Sequence, residues 1–228
     1  MRRKFISLAV ASLIVLGPAS TVDADFFTIS DPRANLPNGQ GYTSGTRLLA
    51  IPGDQFDLIT SLPDAGVTFS IPLMILDVPD GWATWAGPPI TETDTPRVLY
   101  SDGLTQVTLT FADPLSVFGF ELQPNQFGPF TFTATFFNGA DEVYQVSRDV
   151  GGDAGALLFA AATTALTPAF TSVRISGSQD FGIAQLRFAP AEVVPEPNSL
   201  MLLAAAAATG ALVAASSGHR RRREPPGA

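Results

Sequence analysis

Thr105-Gln106-Val107-Thr108-Leu109-Thr110-Phe111 and Phe130-Thr131-Phe132-Thr133-Ala134-Thr135-Phe136 decide the fold class. In the first, Val107, Leu109 and Phe111 fall on one face, and Gln106, Thr108 and Thr110 on the other. In the second, phenylalanines alternate with threonines, the phenylalanines inside and the threonines outside. A period of two carried by β-branched and aromatic residues is the pattern of a half-buried antiparallel strand. Val117–Leu122, Glu142–Ser147, Thr171–Ser176 and Phe181–Phe188 are further candidate strands. Ser101-Asp102-Gly103, Asn138-Gly139, Gly151-Gly152 and Ser176-Gly177-Ser178 punctuate them as turns. Asn138-Gly139, between two alternating runs, predicts a hairpin. Strands at this spacing with few helical stretches predict an all-β antiparallel sandwich, jelly-roll-like in connection.

Some stretches are less decided. Ala156–Leu166 fits a helix by its alanines and a buried strand by Leu157, Phe159 and its threonines. Residues 31–65 are rich in Pro, Gly and Asn and offer only short strand patterns, and residues 77–96 read as a long proline-rich loop carrying Trp82 and Trp85. No internal repeat is evident.

Residues 25–190 are long enough for one domain with its own core. The chain has no cysteine, so no disulfide supports it. Nineteen acids against six arginines leave residues 25–198 at −13, although the whole chain is −8. Such a surface repels phosphate backbones, which argues against nucleic-acid binding. Lys4 is the only lysine and His219 the only histidine, one near each end. The body therefore lacks the side chains of a Ser-His-Asp triad, a cysteine nucleophile, a Schiff-base lysine or a His/Cys zinc site. No glycine-rich phosphate loop follows a strand. Carboxylates remain, and a pair of them could hydrolyse glycosides. No pair stands out among nineteen, so the expectation is a protein that is not an enzyme.

Two features carry binding hypotheses. Asp149-Val150-Gly151-Gly152-Asp153 and Asn138-Gly139-Ala140-Asp141-Glu142 are oxygen-rich turns. They suit a structural calcium ion, or simply the turns that Asp and Gly make. Trp82 and Trp85, three apart, form a stacking platform for sugar rings if exposed, and cap one end of the sandwich if buried. Glu92 and Asp94 lie close in sequence and could bond sugar hydroxyls.

The two ends read differently from the body. Arg2, Arg3 and Lys4 precede the apolar stretch Phe5–Leu16, and Val22-Asp23-Ala24 offers small residues at a cleavage site. Residues 1–24 thus read as a signal peptide, cut between Ala24 and Asp25 by signal peptidase. At the other end, Pro195 and Pro197 keep residues 191–198 extended. Leu200–Ala215 carries no charge over 16 residues, near the lower limit of about 17 for a spanning helix. Residues 199–216 therefore read as a short transmembrane helix in the inner membrane. Arg220, Arg221, Arg222 and Arg223 cost about 2.5–3.5 kcal/mol each to insert, which keeps residues 217–228 cytoplasmic.

Val194-Pro195-Glu196-Pro197, an apolar helix and the arginine cluster, in that order at the C-terminus, resemble the PEP-CTERM sorting signal of exported bacterial proteins. Glu224–Ala228 extends past the arginines, where such signals more often stop. Phe118-Gly119-Phe120-Glu121-Leu122, Thr171-Ser172-Val173-Arg174-Ile175 and Phe181–Phe188 are similar to the β-rich bodies of that family, with Ala184-Gln185 replacing an Ile-Asp-Asn-type last strand. The resemblance implies processing near Pro-Glu-Pro by an exosortase, an integral-membrane transpeptidase-like enzyme. It further implies display at the cell surface or in an extracellular matrix rich in exopolysaccharide. A structural or adhesive role follows first, and a lectin-like carbohydrate-binding role second. Polysaccharide hydrolysis is a distant third.

Overall fold

The computed structural model describes residues 26–34, 41–42, 45–164 and 169–191. The strands are β1 (Phe26–Thr28), β2 (Asp31–Ala34), β3 (Gly41–Tyr42), β4 (Arg47–Leu48), β5 (Leu58–Leu62), β6 (Val67–Asp77) and β7 (Arg97–Tyr100). They continue with β8 (Gln106–Pro124), β9 (Pro129–Asn138), β10 (Asp141–Gly151), β11 (Leu157–Thr163), β12 (Phe170–Gly177) and β13 (Phe181–Pro190). Helix is confined, among the described residues, to a short 3-10 turn, Asp64–Gly66.

Two strands are long because they serve two layers. Gln106–Thr110 of β8 pairs with β12 and touches β6 at Leu109 and Thr110, whereas Val117–Leu122 pairs with β11 on one side and β13 on the other. Between these halves Ala112, Asp113 and Pro114 are exposed, flanked by buried Phe111 and Leu115. Strand β6 changes partners likewise, from β8 at Thr68 and Phe69 to β7 at Met74–Asp77. One layer is therefore β10-β9-β12-β8-β6-β5, and the other β1-β11-β8-β13-β7-β6, with β4 beside β13. Strands that turn a corner between layers are a standard way to close a sandwich. The all-β antiparallel expectation is met, apart from the short parallel pair β2–β3.

The core lies between these layers. Phe132 of β9 meets Phe181 of β13 edge-on at 5.6 Å, and Phe26 of β1 reaches Tyr144 of β10 at 5.9 Å and Phe170 of β12 at 5.7 Å. Phe132, Ala134 and Phe136 are fully buried, as the alternation predicts, but Thr135 on the expected outer face is also buried, its hydroxyl accepting from Gln145 Nε2. Gly177 pairs across from Phe132, and a Cβ there would lie 2.3 Å from that ring. The phenylalanine covers the bare backbone of the glycine, so the two are matched. The hairpin at Asn138 forms, its two-residue loop starting at Gly139 with φ +62°. Within the undecided stretch, Leu157–Thr163 forms strand β11, paired to β1 and β8, and residues 165 and 166 lie outside the described residues.

Strand β6 has no clear signature in the sequence. Val67-Thr68-Phe69-Ser70-Ile71 alternates well, but Pro72 interrupts the pattern at the bend. The leader and its cleavage site, Ala24 and Asp25, lie outside the described residues. So do Val194, Pro195, Glu196, Pro197, the spanning helix and Arg220–Arg223. No helix among the described residues is long and apolar enough to cross a membrane.

Candidate functional site

The C-terminal half of β8 points Phe118, Phe120 and Leu122 into the core. Its other face carries Glu121 and Gln123, which an ordinary sandwich would leave in water. Here they are 0% and 2% exposed, because the strap of residues 78–96 lies across them. Polar groups buried this way need partners. Trp82 Nε1 donates to Gln123 Oε1 at 2.9 Å, and Trp85 Nε1 to Glu121 Oε2 at 2.9 Å. The Glu92 backbone N–H donates to Glu121 Oε1 at 2.7 Å. Gln123 Nε2 donates to Thr84 Oγ1 at 3.1 Å and to the Gly152 carbonyl at 2.8 Å. Arg187 of β13 forks onto the Glu92 carboxylate. Three polar side chains of the sheet thus latch the strap along its length.

This arrangement decides the fate of the two tryptophans. They sit edge-on to each other at 6.4 Å and are 6% and 8% exposed. Trp82 also packs on Tyr100 at 5.5 Å. Their apolar area and their N–H groups are both satisfied inside, so neither presents an open ring to a sugar. The capping alternative describes their position, and the exposed platform does not form. Of their sequence neighbours, Glu92 is tied to Arg187.

Burial pushes the Glu121 carboxyl up to about 7, against the pull of the Trp85 and Glu92 N–H donors. A raised carboxyl beside a second carboxylate is the acid/base signature of a hydrolase. The geometry lacks what that chemistry requires. Both Glu121 oxygens are occupied, the side chain has no exposed surface, and Glu92 is held by its arginine. The Tyr42 hydroxyl is buried without a hydrogen-bond partner, and the Arg187 guanidinium lies 5.7 Å from the Tyr42 ring centre.

The oxygen-rich turns are used locally. Asp149 accepts from Thr131 Oγ1 at 2.5 Å, and the Gly139 N–H donates to Thr171 Oγ1 at 2.8 Å. Among the described residues no group of three or more His, Cys, Asp or Glu is placed to hold a metal ion.

The end of the strap shapes an open cleft of about 190 Å³. Trp82 and Thr84 form one wall, and Asn125 and Phe127 of the β8–β9 turn form the other. Gln123 and Gly152 also line it. Trp85 is not among its lining residues. Phe127 is 77% exposed, the most exposed large apolar side chain among the described residues. Its turn is nonetheless fixed. The Gly152 N–H donates to the Gly128 carbonyl at 3.0 Å and the Asn125 N–H to the Asp180 carbonyl at 3.0 Å. Asn125 Nδ2 bonds Tyr100 Oη and Asp180 Oδ2, each at 3.1 Å, and the Tyr100 hydroxyl donates to Asp180 at 2.5 Å. A Cβ at Gly152 would stand 1.9 Å from the Gln126 carbonyl oxygen, so only glycine lets the two turns meet. Sequence reading had no signal for Phe127, an isolated aromatic in a polar turn.

No protein-family model matches the chain, and no curated protein matches it. Among solved structures, the TmCBM61 module in complex with β-1,4-galactotriose is similar at 13% identity and a TM-score of 0.31, over 64% of this chain and 89% of that one. A family 29 carbohydrate-binding module is similar at 13% identity and a TM-score of 0.28, over 78% of this chain and 99% of that one. The enzymatically active domain of bacteriophage CBA120 tailspike protein 4 also has a TM-score of 0.28, at 13% identity, over 64% of this chain and 19% of that one. Likeness at this level says nothing of what this chain binds.

Proposed function

We propose that this chain is an exported β-sandwich protein, delivered to the cell surface or extracellular matrix by its C-terminal signal and associated there with exopolysaccharide. The observation that carries the reading is the order of Pro195-Glu196-Pro197, the uncharged run Leu200–Ala215 and Arg220–Arg223. Signal peptidase releases the mature chain at Asp25. The weak apolar run and its arginines hold the precursor in the inner membrane while an exosortase acts near the extended Pro-Glu-Pro. The body works by holding rather than by catalysis: it has no His, Cys or Lys, and Glu121, the one strongly perturbed carboxylate among the described residues, is sealed under the strap. Replacing Pro195, Glu196 and Pro197 with alanine tests the reading. Membrane insertion should persist while processing stops, so the longer form accumulates in the membrane fraction. An unchanged ratio of long to short forms would count against an exosortase signal.

A second reading, that the body is a carbohydrate-binding module, is favoured by the cleft beside Phe127. Its supports are an exposed ring on a fixed turn and hydrogen-bonding groups facing it.

A further inference from the structure

We propose that the cleft between Thr84 and Phe127 is a subsite for neutral glycan, with Phe127 as the surface on which a sugar ring stacks. It rests on the second reading above and gives that reading a place and a ligand class.

An exposed phenylalanine is common enough on a loose loop. Phe127 differs in being held: backbone bonds fix its turn at Asn125 and Gly128, and the side chain of Asn125 ties the same turn to Tyr100 and Asp180. A ligand stacking on this ring finds it already ordered, so little freedom is lost on binding. The flat C–H face of a pyranose fits an aromatic face, and its hydroxyls need polar partners at the rim. Those partners are present. Thr84 Oγ1 accepts from Gln123, which leaves its hydroxyl proton to donate. Asn125 uses its amide nitrogen within the chain, which leaves its amide oxygen to accept. Gln123, fully engaged, fixes Thr84 and Gly152 and so sets the width of the cleft.

Charge selects the ligand class. No charged side chain lines the cleft, and the one carboxylate bonded to a lining side chain is that of Asp180, through Asn125. No arginine stands there to pair with a uronate or a sulfate, and a body at −13 repels both. Neutral polysaccharide is what this surface admits.

The test uses the full chain in mild detergent on an array of neutral, uronate-containing and sulfated glycans, followed by titration with the strongest binder. Saturable binding to neutral glycans is expected, nearly independent of salt between about 50 and about 500 mM, because no ion pair forms. Phe127→Ala should weaken it about tenfold or more, Phe127→Tyr should keep it, and Phe56→Ser, at an exposed ring elsewhere, should leave it unchanged. Both alanine and wild-type chains should melt alike, since Phe127 is outside the core. If Phe127→Ala binds neutral glycan as tightly as wild type, the subsite is wrong while the carbohydrate reading stands. Preference for uronates or sulfates overturns the ligand class. If the folded wild-type chain binds no glycan, both the subsite and the second reading fall.

Discussion

Phe132 and Glu121 are both inaccessible to solvent, for opposite reasons. Phe132 is buried by the hydrophobic effect, wedged against Phe181 and over Gly177. An aspartate in its place would bury an unpaired charge, at a cost of several kcal/mol. Phe132→Asp should therefore abolish the cooperative melt followed by far-UV circular dichroism. Thr133→Asp, on the opposite face beside Ser147, should melt within a few degrees of wild type. Glu121 is buried by its neighbours' need for an acceptor, and its carboxyl holds a proton up to about pH 7 rather than the ordinary 4.5. The folded state binds that proton more tightly than the unfolded state. Its contribution to stability is thus full below pH 4.5 and is lost as pH rises through 7. Glu121→Gln removes the titration. The melting temperature of the variant relative to wild type should rise between pH 5 and pH 8, and a difference that stays flat or falls would mean Glu121 is ionised throughout.

At the level of elements, the strap owes its place to side chains more than to backbone pairing. Arg187 holds Glu92, Glu121 holds Trp85 and the Glu92 amide, and Gln123 holds Trp82 and Thr84. Arg187→Met keeps the apolar stem and removes the fork. Amide exchange should speed up around residues 90–95 by about tenfold, in line with a lost half-buried charge pair, while β9 and β12 exchange as before. Equal acceleration everywhere would mean that the strap and the sandwich open as one unit. The same elements explain how much could be read from sequence. Strands β8, β9, β12 and β13 were legible because one face of each is apolar. Strand β6 was not, because Pro72 breaks its alternation at the corner. Strand β11 was half-legible, since alanines fit a helix as readily as a doubly covered strand. The latch was invisible: Glu121 and Gln123 alternate like solvent-facing residues, and only a loop arriving from elsewhere in the chain buries them. Trp82 and Trp85 are conspicuous by residue type, but whether a loop tryptophan faces in or out is set by tertiary contact.

At the scale of the whole molecule, a sandwich built without disulfides is followed in sequence by Pro195-Glu196-Pro197, an uncharged run and a cluster of arginines. In the function proposed above, the body presents an acidic surface with a fixed aromatic ring at one end, and the tail is the proposed address. The most direct measurement of that division is an immunoblot of membrane, soluble and surface fractions from two hosts expressing the full chain, one with an exosortase and one without. If the tail is an exosortase signal, the first host yields a shorter, surface-associated or released form and the second only the longer membrane-bound form. Identical mobility and identical location in both hosts would contradict it, leaving the tail as a simple anchor.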